Sequence, residues 1–290
     1  MNELPTLTDL GYIRSLCARH GFVLSKQFGQ NFIVNPSVCP RMAEAAGLGP
    51  GWGALEIGPG VGVLTKELAL RADRVVTVEV DDRLPALLEE SLAGLSNVQL
   101  VMGDVLRLDL HALLAERLAG LKVAVCANLP YYITSPILMK LLEERLPVES
   151  ITVMVQKEAA ERICAAPGTR AAGAISLAVH YYAVPQVLFT VSPGSFTPPP
   201  KVTSAVIRLT PHRTPPVQPL DEKRFFRIIR AAFCQRRKTA VNGLSAGLGL
   251  PKQQLLEAFA AAGLPPMARP EQLTLQDFCA LEQALAACGS

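Results

Sequence analysis

This chain has no metal-ligand spacing. Its seven cysteines, at 17, 39, 126, 164, 234, 279 and 288, form no C-x-x-C pair, and His20, His111, His180 and His212 are scattered. An odd, dispersed set of thiols indicates neither a zinc site nor a disulfide framework, and reads as free cysteines in a reducing compartment. Charged residues are sparse at 18%, and Gly and Pro together reach only about 15%, below the level of disordered tracts. The longest uncharged stretch, 171–191, carries Ser176, His180, Pro185 and Gln186 and turns from Ala-rich to β-branched midway. It reads as a buried helix followed by a strand, not a membrane span. With Glu3 and Asp9 near its start and no apolar h-region, the sequence shows neither a signal nor a transit peptide.

What is present is enough apolar sequence, half of 290 residues, for about two domains. Strand-like runs fall at 54–57, 75–80, 98–102, 123–127, 151–156, 187–191 and 202–209. Helical patterns such as 63–71, 83–93 and 110–119 separate the first five, which predicts a mainly parallel, doubly wound α/β sheet. The last two strands are joined by Ser-Pro-Gly-Ser-Phe-Thr-Pro-Pro-Pro, too short for a helix, so they are expected to pair antiparallel at one edge. A helix near 7–20 and an irregular loop at 24–36 precede the sheet. The Pro-rich segment 210–220 marks a linker, followed by helical patterns at 222–233, 236–244, 252–262 and 274–287. The net charge is +3, yet ten Lys or Arg against six Asp or Glu lie beyond residue 212. A basic tail on a neutral body points to a polyanion partner.

The first long strand runs into Glu56-Ile57-Gly58-Pro59-Gly60-Val61-Gly62, a turn that lets backbone approach a ligand ahead of a helix. The dinucleotide fingerprint needs Gly or Ala at Val63. The third glycine instead falls one place early, and G-x-G-x-G after an acid points to S-adenosylmethionine. Glu79, 21 residues after Gly58, ends the second strand where a carboxylate can accept from both ribose hydroxyls. Asp104, after the third, is placed to accept from the adenine amino group. After the fourth comes Asn128-Leu129-Pro130-Tyr131. An adenine amine is a poor nucleophile because its lone pair is delocalised. Acceptors at the Asn128 side chain and the Leu129 carbonyl would favour a pyramidal nitrogen. Pro130 stiffens that carbonyl's direction, and Tyr131 offers a ring for stacking the base.

Adding Lys26-Gln27-Phe28-Gly29-Gln30-Asn31-Phe32-Ile33 and the Ser195–Ser204 block SFTPPPKVTS, the chain resembles the ribosomal RNA adenine N6-dimethyltransferase family over nearly its whole length. It is most like the bacterial small-subunit (16S) type. The resemblance implies a class I methyltransferase fold, a Rossmann-like seven-stranded sheet over residues 1–210, with a small all-helical RNA-contacting domain at 220–290. It implies S-adenosyl-L-methionine at Asn31, Ile33, Gly58, Glu79, Asp104 and Asn128. It further implies a flipped adenine held between Tyr131 and Phe196. The family usually has Asn where this chain has Tyr132, and Gln27-Phe28 is a second departure.

In the basic tail Arg224, Arg227 and Arg230 recur at helical spacing and Arg236-Arg237-Lys238 follow, with Phe225, Phe226, Ile228 and Ile229 on the core side. These six cations are the expected phosphate contacts. The expected product is dimethyladenine at two adjacent adenines of a small-subunit rRNA hairpin in an assembling 30S particle. The enzyme is expected to be monomeric, cytoplasmic and metal-free. A large-subunit resistance methylase, a non-catalytic RNA-binding factor and a nicotinamide oxidoreductase are the rival readings. The complete loop and NLPY motifs and the early third glycine weigh against them.

Overall fold

The computed structural model describes residues 6–23, 31–235 and 237–287. Nine strands occur among them: β1 (Phe32–Ile33), β2 (Trp52–Ile57), β3 (Arg74–Glu79), β4 (Val98–Met102), β5 (Lys122–Asn128), β6 (Ser150–Gln156), β7 (Ala183–Val191), β8 (Phe196–Thr197) and β9 (Ser204–Pro211). Seven form one sheet in the order β4-β3-β2-β5-β6-β9-β7. The pairs β4/β3, β3/β2, β2/β5 and β5/β6 are parallel, and β9 runs antiparallel to β6. This is the expected α/β architecture of a class I methyltransferase. Central strands such as β2 and β6 are buried almost throughout, and their near-continuous apolar runs reflect helices on both faces. The last two long strands, β7 and β9, are neighbours at one edge of the sheet, as expected, with the reversed β9 between β6 and the edge strand β7.

The loop expected at 24–36 contains a strand where it is described. Phe32 and Ile33 pair antiparallel with Thr197 and Phe196 in a separate two-stranded sheet. The carbonyl of Ser195 accepts from the Val34 N–H at 2.8 Å, which extends the tie by one residue. Residues Lys26 to Gln30, including Gln27-Phe28, lie outside the described residues.

The chain forms two compact units, 1–160 with 186–211, and 161–185 with 212–290. Division at the Pro-rich linker alone would assign 161–185 to the sheet. Aromatic packing gives the reason for the difference. Tyr181 and Tyr182, at the end of helix Ala174–Tyr182, each donate a hydroxyl hydrogen bond to the Glu222 carboxylate (2.9 and 2.8 Å), and Tyr181 stands 5.1–5.6 Å from the rings of Phe225 and Phe226. In the same unit helices Glu222–Ala232 and Ala240–Leu248 cross closely at two glycines. A Cβ on Gly243 would lie 2.4 Å from the Ala232 carbonyl oxygen, and one on Gly247 2.7 Å from the Ala231 Cβ. No helix among the described residues is long and apolar enough to cross a membrane.

Gly62 caps helix Val63–Ala69 with φ at +89°, and a Cβ there would stand 2.7 Å from Leu92 Cδ2. Gly62→Ala is expected to cost roughly 1–3 kcal/mol in urea unfolding, through left-handed backbone strain and crowding. Gly49→Ala, where φ is ordinary and nothing lies within 4 Å, should change stability by less than about 0.5 kcal/mol. Equal losses at the two positions would contradict the account.

Candidate active site

A cleft partly open to solvent lies at the carboxyl ends of the parallel strands. It is lined by Asn31, Ile33, Gly58, Glu79, Asp104, Asn128, Leu129, Pro130, Tyr131 and Phe196, so every expected cofactor and base position converges on one place. The parallel register produces this. Ile57 is level with Val78 and Ala127, and Glu79 with Met102, so the first residues beyond each strand form one rim.

Gly58 and Gly60 both have positive φ, at +72° and +57°. Their roles differ. A Cβ on Gly58 would meet nothing within 4 Å, so its backbone faces open space, whereas one on Gly60 would touch the Phe32 ring at 3.3 Å. Two of the three glycines therefore serve packing, against Phe32 and Leu92, and Gly58 is the one that leaves the cleft open.

Glu79 is buried, and its Oε1 accepts the backbone N–H groups of Val80 and Asp81, both at 2.8 Å. Burial raises its carboxyl above the usual range, these two amides pull it back, and the neighbouring Asp81 raises it again. Asp81 is itself buried and forked by Arg83, with Nε 2.7 Å from Oδ1 and a terminal guanidinium nitrogen 2.6 Å from Oδ2. Arg83 also covers the Phe22 ring at 4.9 Å and donates to the Val23 carbonyl. Sequence reasoning missed this brace, although Asp81-Asp82-Arg83 directly after a strand tip is a visible signal.

Asp104 Oδ1 accepts from the Leu106 N–H at 2.9 Å, and Arg107 lies 3.6 Å from Oδ2 on the surface, where such a pair contributes little. Leu129 is anchored by its N–H to the Met154 carbonyl at 3.2 Å, while among the described residues nothing donates to the Leu129 carbonyl or to the Asn128 side chain. The Pro130 carbonyl accepts from the Ile133 N–H and the Thr134 hydroxyl, both at 3.2 Å, which starts the next helix and fixes the turn. Tyr131 is half-buried and its hydroxyl meets Ser204 Oγ at 2.6 Å. Phe196 lines the cleft but is 4% exposed, packed in the core with Phe32 and Ile33.

Comparison with known proteins decides the family. A family model described as ribosomal RNA adenine dimethylase matches residues 21–286. The chain belongs to that family. Ribosomal RNA small subunit methyltransferase A of Geobacillus thermodenitrificans is 46% identical over 279 residues, 95% of each chain. The protein of the same name from Lysinibacillus sphaericus is 45% identical over 276 residues, 94% of each. Among solved structures, the 23S rRNA methyltransferase ErmE superposes with TM-score 0.65 at 26% identity, over 88% of this chain and all of the other. A dimethyladenosine transferase from Plasmodium falciparum gives TM-score 0.74 at 24% identity, over 89% and 98%. This family member is thus a methyltransferase in fold and kinship.

The expected RNA-contacting cations lie in the other unit. Arg224 does not stand free, because its Nε donates to Glu282 Oε1 at 2.7 Å with a second guanidinium contact to the same oxygen. Glu282 is fully buried and also accepts from the Leu220 and Asp221 N–H groups, so Arg224 braces the helix start. Arg227, Arg230, Arg237 and Lys238 are exposed and have no acidic partner among the described residues, and Arg236 lies outside those residues. No cluster of three or more His, Cys, Asp or Glu suited to a metal occurs among the described residues.

Behind the glycine turn, Glu56 is fully buried and accepts from the Thr65 hydroxyl at 2.6 Å. Burial raises its carboxyl to about 7, opposed by Thr65 and reinforced by Glu79. A carboxyl raised on folding contributes stability below its unfolded value, near 4.5, that is lost as pH climbs through about 7. The loss is on the order of 3 kcal/mol. Glu56→Gln should flatten stability between pH 4.5 and 7 in denaturant titrations, and an unchanged slope would remove Glu56 as its source.

Proposed function

We propose that this protein methylates the exocyclic amines of two adjacent adenines in a hairpin near the 3′ end of small-subunit (16S) rRNA, giving N6,N6-dimethyladenine at each. The observation carrying the reading is the Asn128–Tyr131 turn, which offers two unengaged acceptors and a half-buried ring in one cleft. Relatives near 45% identity over 95% of the chain bear the small-subunit name, whereas ErmE, a 23S rRNA enzyme, is 26% identical. That contrast favours the small subunit.

The cleft suits S-adenosyl-L-methionine. Open space beside Gly58 admits close approach, and Glu79 keeps Oε2 for ribose hydroxyls while backbone amides hold Oε1. Exposed Val80 next to it supplies apolar contact, and Asn31, Ile33 and Asp104 complete the lining. When bound, the cofactor supplies an electrophilic sulfonium methyl group. The residues around the adenine do the rest. Asn128 Oδ1 and the Leu129 carbonyl accept the two amine hydrogens and concentrate the lone pair on nitrogen. The Leu129–Met154 hydrogen bond and the Pro130 ring hold that carbonyl still. Tyr131, tied at its hydroxyl, presents its ring to the base. Phe196 supports the opposite wall.

Arg227, Arg230, Arg237 and Lys238 contact phosphate, with Arg236 beside them in sequence. The substrate is the rRNA within an assembling 30S particle, and the enzyme works as a cytoplasmic monomer.

Incubation with S-adenosylmethionine and undermethylated ribosomal subunits, followed by mass-spectrometric mapping, should place dimethyladenosine at two adjacent positions of small-subunit rRNA. Product in large-subunit RNA alone would overturn the assignment. Asn128→Ala should cut turnover about 100-fold or more while RNA affinity stays within roughly threefold, since binding is spread over many phosphates. A parallel collapse of affinity would make Asn128 a structural turn residue.

Changing Arg227, Arg230, Arg237 and Lys238 together to Gln should lower the log–log salt slope of RNA binding by about three. An unaltered slope would assign these cations to solvent.

A further inference from the structure

Four aromatic rings line the cleft, and they differ sharply in what they can offer. Phe32 and Phe196 are each 4% exposed, and Tyr131 is half-buried with its hydroxyl on Ser204. Tyr132 is 64% exposed and, among the described residues, has neither a hydrogen bond nor a ring partner. It belongs to the same 3-10 turn, Tyr131–Ile133, in which successive side chains diverge by about 120°. Tyr131 is therefore turned into the protein and Tyr132 toward the mouth of the cleft. Burying Tyr132 plays no part in folding, so a ring held here on a rigid turn is available to a ligand.

We propose that Tyr132 is a positioning residue that stacks on the base adjacent to the adenine being methylated. The inference rests on the proposed function, because it takes the substrate to carry two neighbouring target adenines. With one adenine drawn past Tyr131, its neighbour sits one nucleotide away at the mouth, having lost a stacking partner. Tyr132 replaces that partner. Stacking is tolerant of base identity, so Tyr132 contributes affinity and register while Asn128 and Leu129 select the amine.

The test uses reconstituted small-subunit particles in which 2-aminopurine replaces one target adenine. The probe fluoresces, is quenched by stacking and has no N6 amine, so the remaining adenine is the one methylated. Bound to Tyr132→Ala, the probe should be at least twofold brighter than when bound to wild type or to Tyr132→Phe, which keep it quenched. On unmodified particles Tyr132→Ala should raise KM for the particle roughly tenfold with kcat within twofold, and Tyr132→Phe should restore it. The urea midpoint and S-adenosylmethionine affinity of Tyr132→Ala should match wild type, which excludes a folding defect. Wild-type quenching and KM in Tyr132→Ala would overturn the proposal, as would a fall in kcat at unchanged KM. If wild type forms no dimethyladenosine on these particles, the proposed function fails first and this inference with it.

Discussion

Everything in the cleft depends on register in the parallel half of the sheet. β2, β3 and β5 end level with one another, so the residues that follow Ile57, precede Val80 and follow Ala127 share one rim. A slip of one residue in a strand would carry its side chains to the other face. Glu79 or Asn128 would then leave the cleft. The packing glycines enforce that arrangement. Gly62 lets the helix start against Leu92, and Gly60 lets the turn pass Phe32, so the loop at Gly58 has no freedom to drift.

The lining of the cleft was legible because its motifs are local. Glycine spacing, a carboxylate at a strand tip and the Asn-Leu-Pro-Tyr turn are each written in consecutive residues, and strand alternation placed them at the same end of the sheet. What escaped the sequence was long-range. The ladder between Phe32-Ile33 and Phe196-Thr197 has only two residues per strand, too short for any periodicity to register. Arg224 followed the helical spacing of a basic stripe, but its partner Glu282 lies 58 residues away, and nothing local separates a bracing cation from a free one. The allegiance of residues 161–185 is decided by rings packing on Phe225 and Phe226, again across a wide gap in sequence.

Carboxylates near the cleft are held in two different ways. Glu79 keeps one oxygen on backbone amides, which fixes the other in direction, and Asp81 with Arg83 stabilises the turn that carries those amides. Glu56, one strand over and level with Thr77, accepts from the Thr65 hydroxyl and, like Glu79, carries its burial as a raised carboxyl. The contrast separates a carboxyl aimed by two backbone amides from one enclosed in the core behind the glycine turn.

The strand order has a consequence for the timing of synthesis. β9 is the last strand made, yet it sits between β6 and β7, and Tyr131 ties its hydroxyl to Ser204, the first residue of that strand. Between the emergence of Gln156 and that of Ser204, β6 has one unpaired edge and β7 has no neighbour in the sheet. At ~5–20 residues per second that interval lasts about 2–10 s. A nascent chain stalled near residue 200 therefore displays a long apolar edge, the feature that recruits other strands, and it does so before Tyr131 has anything to hold its hydroxyl.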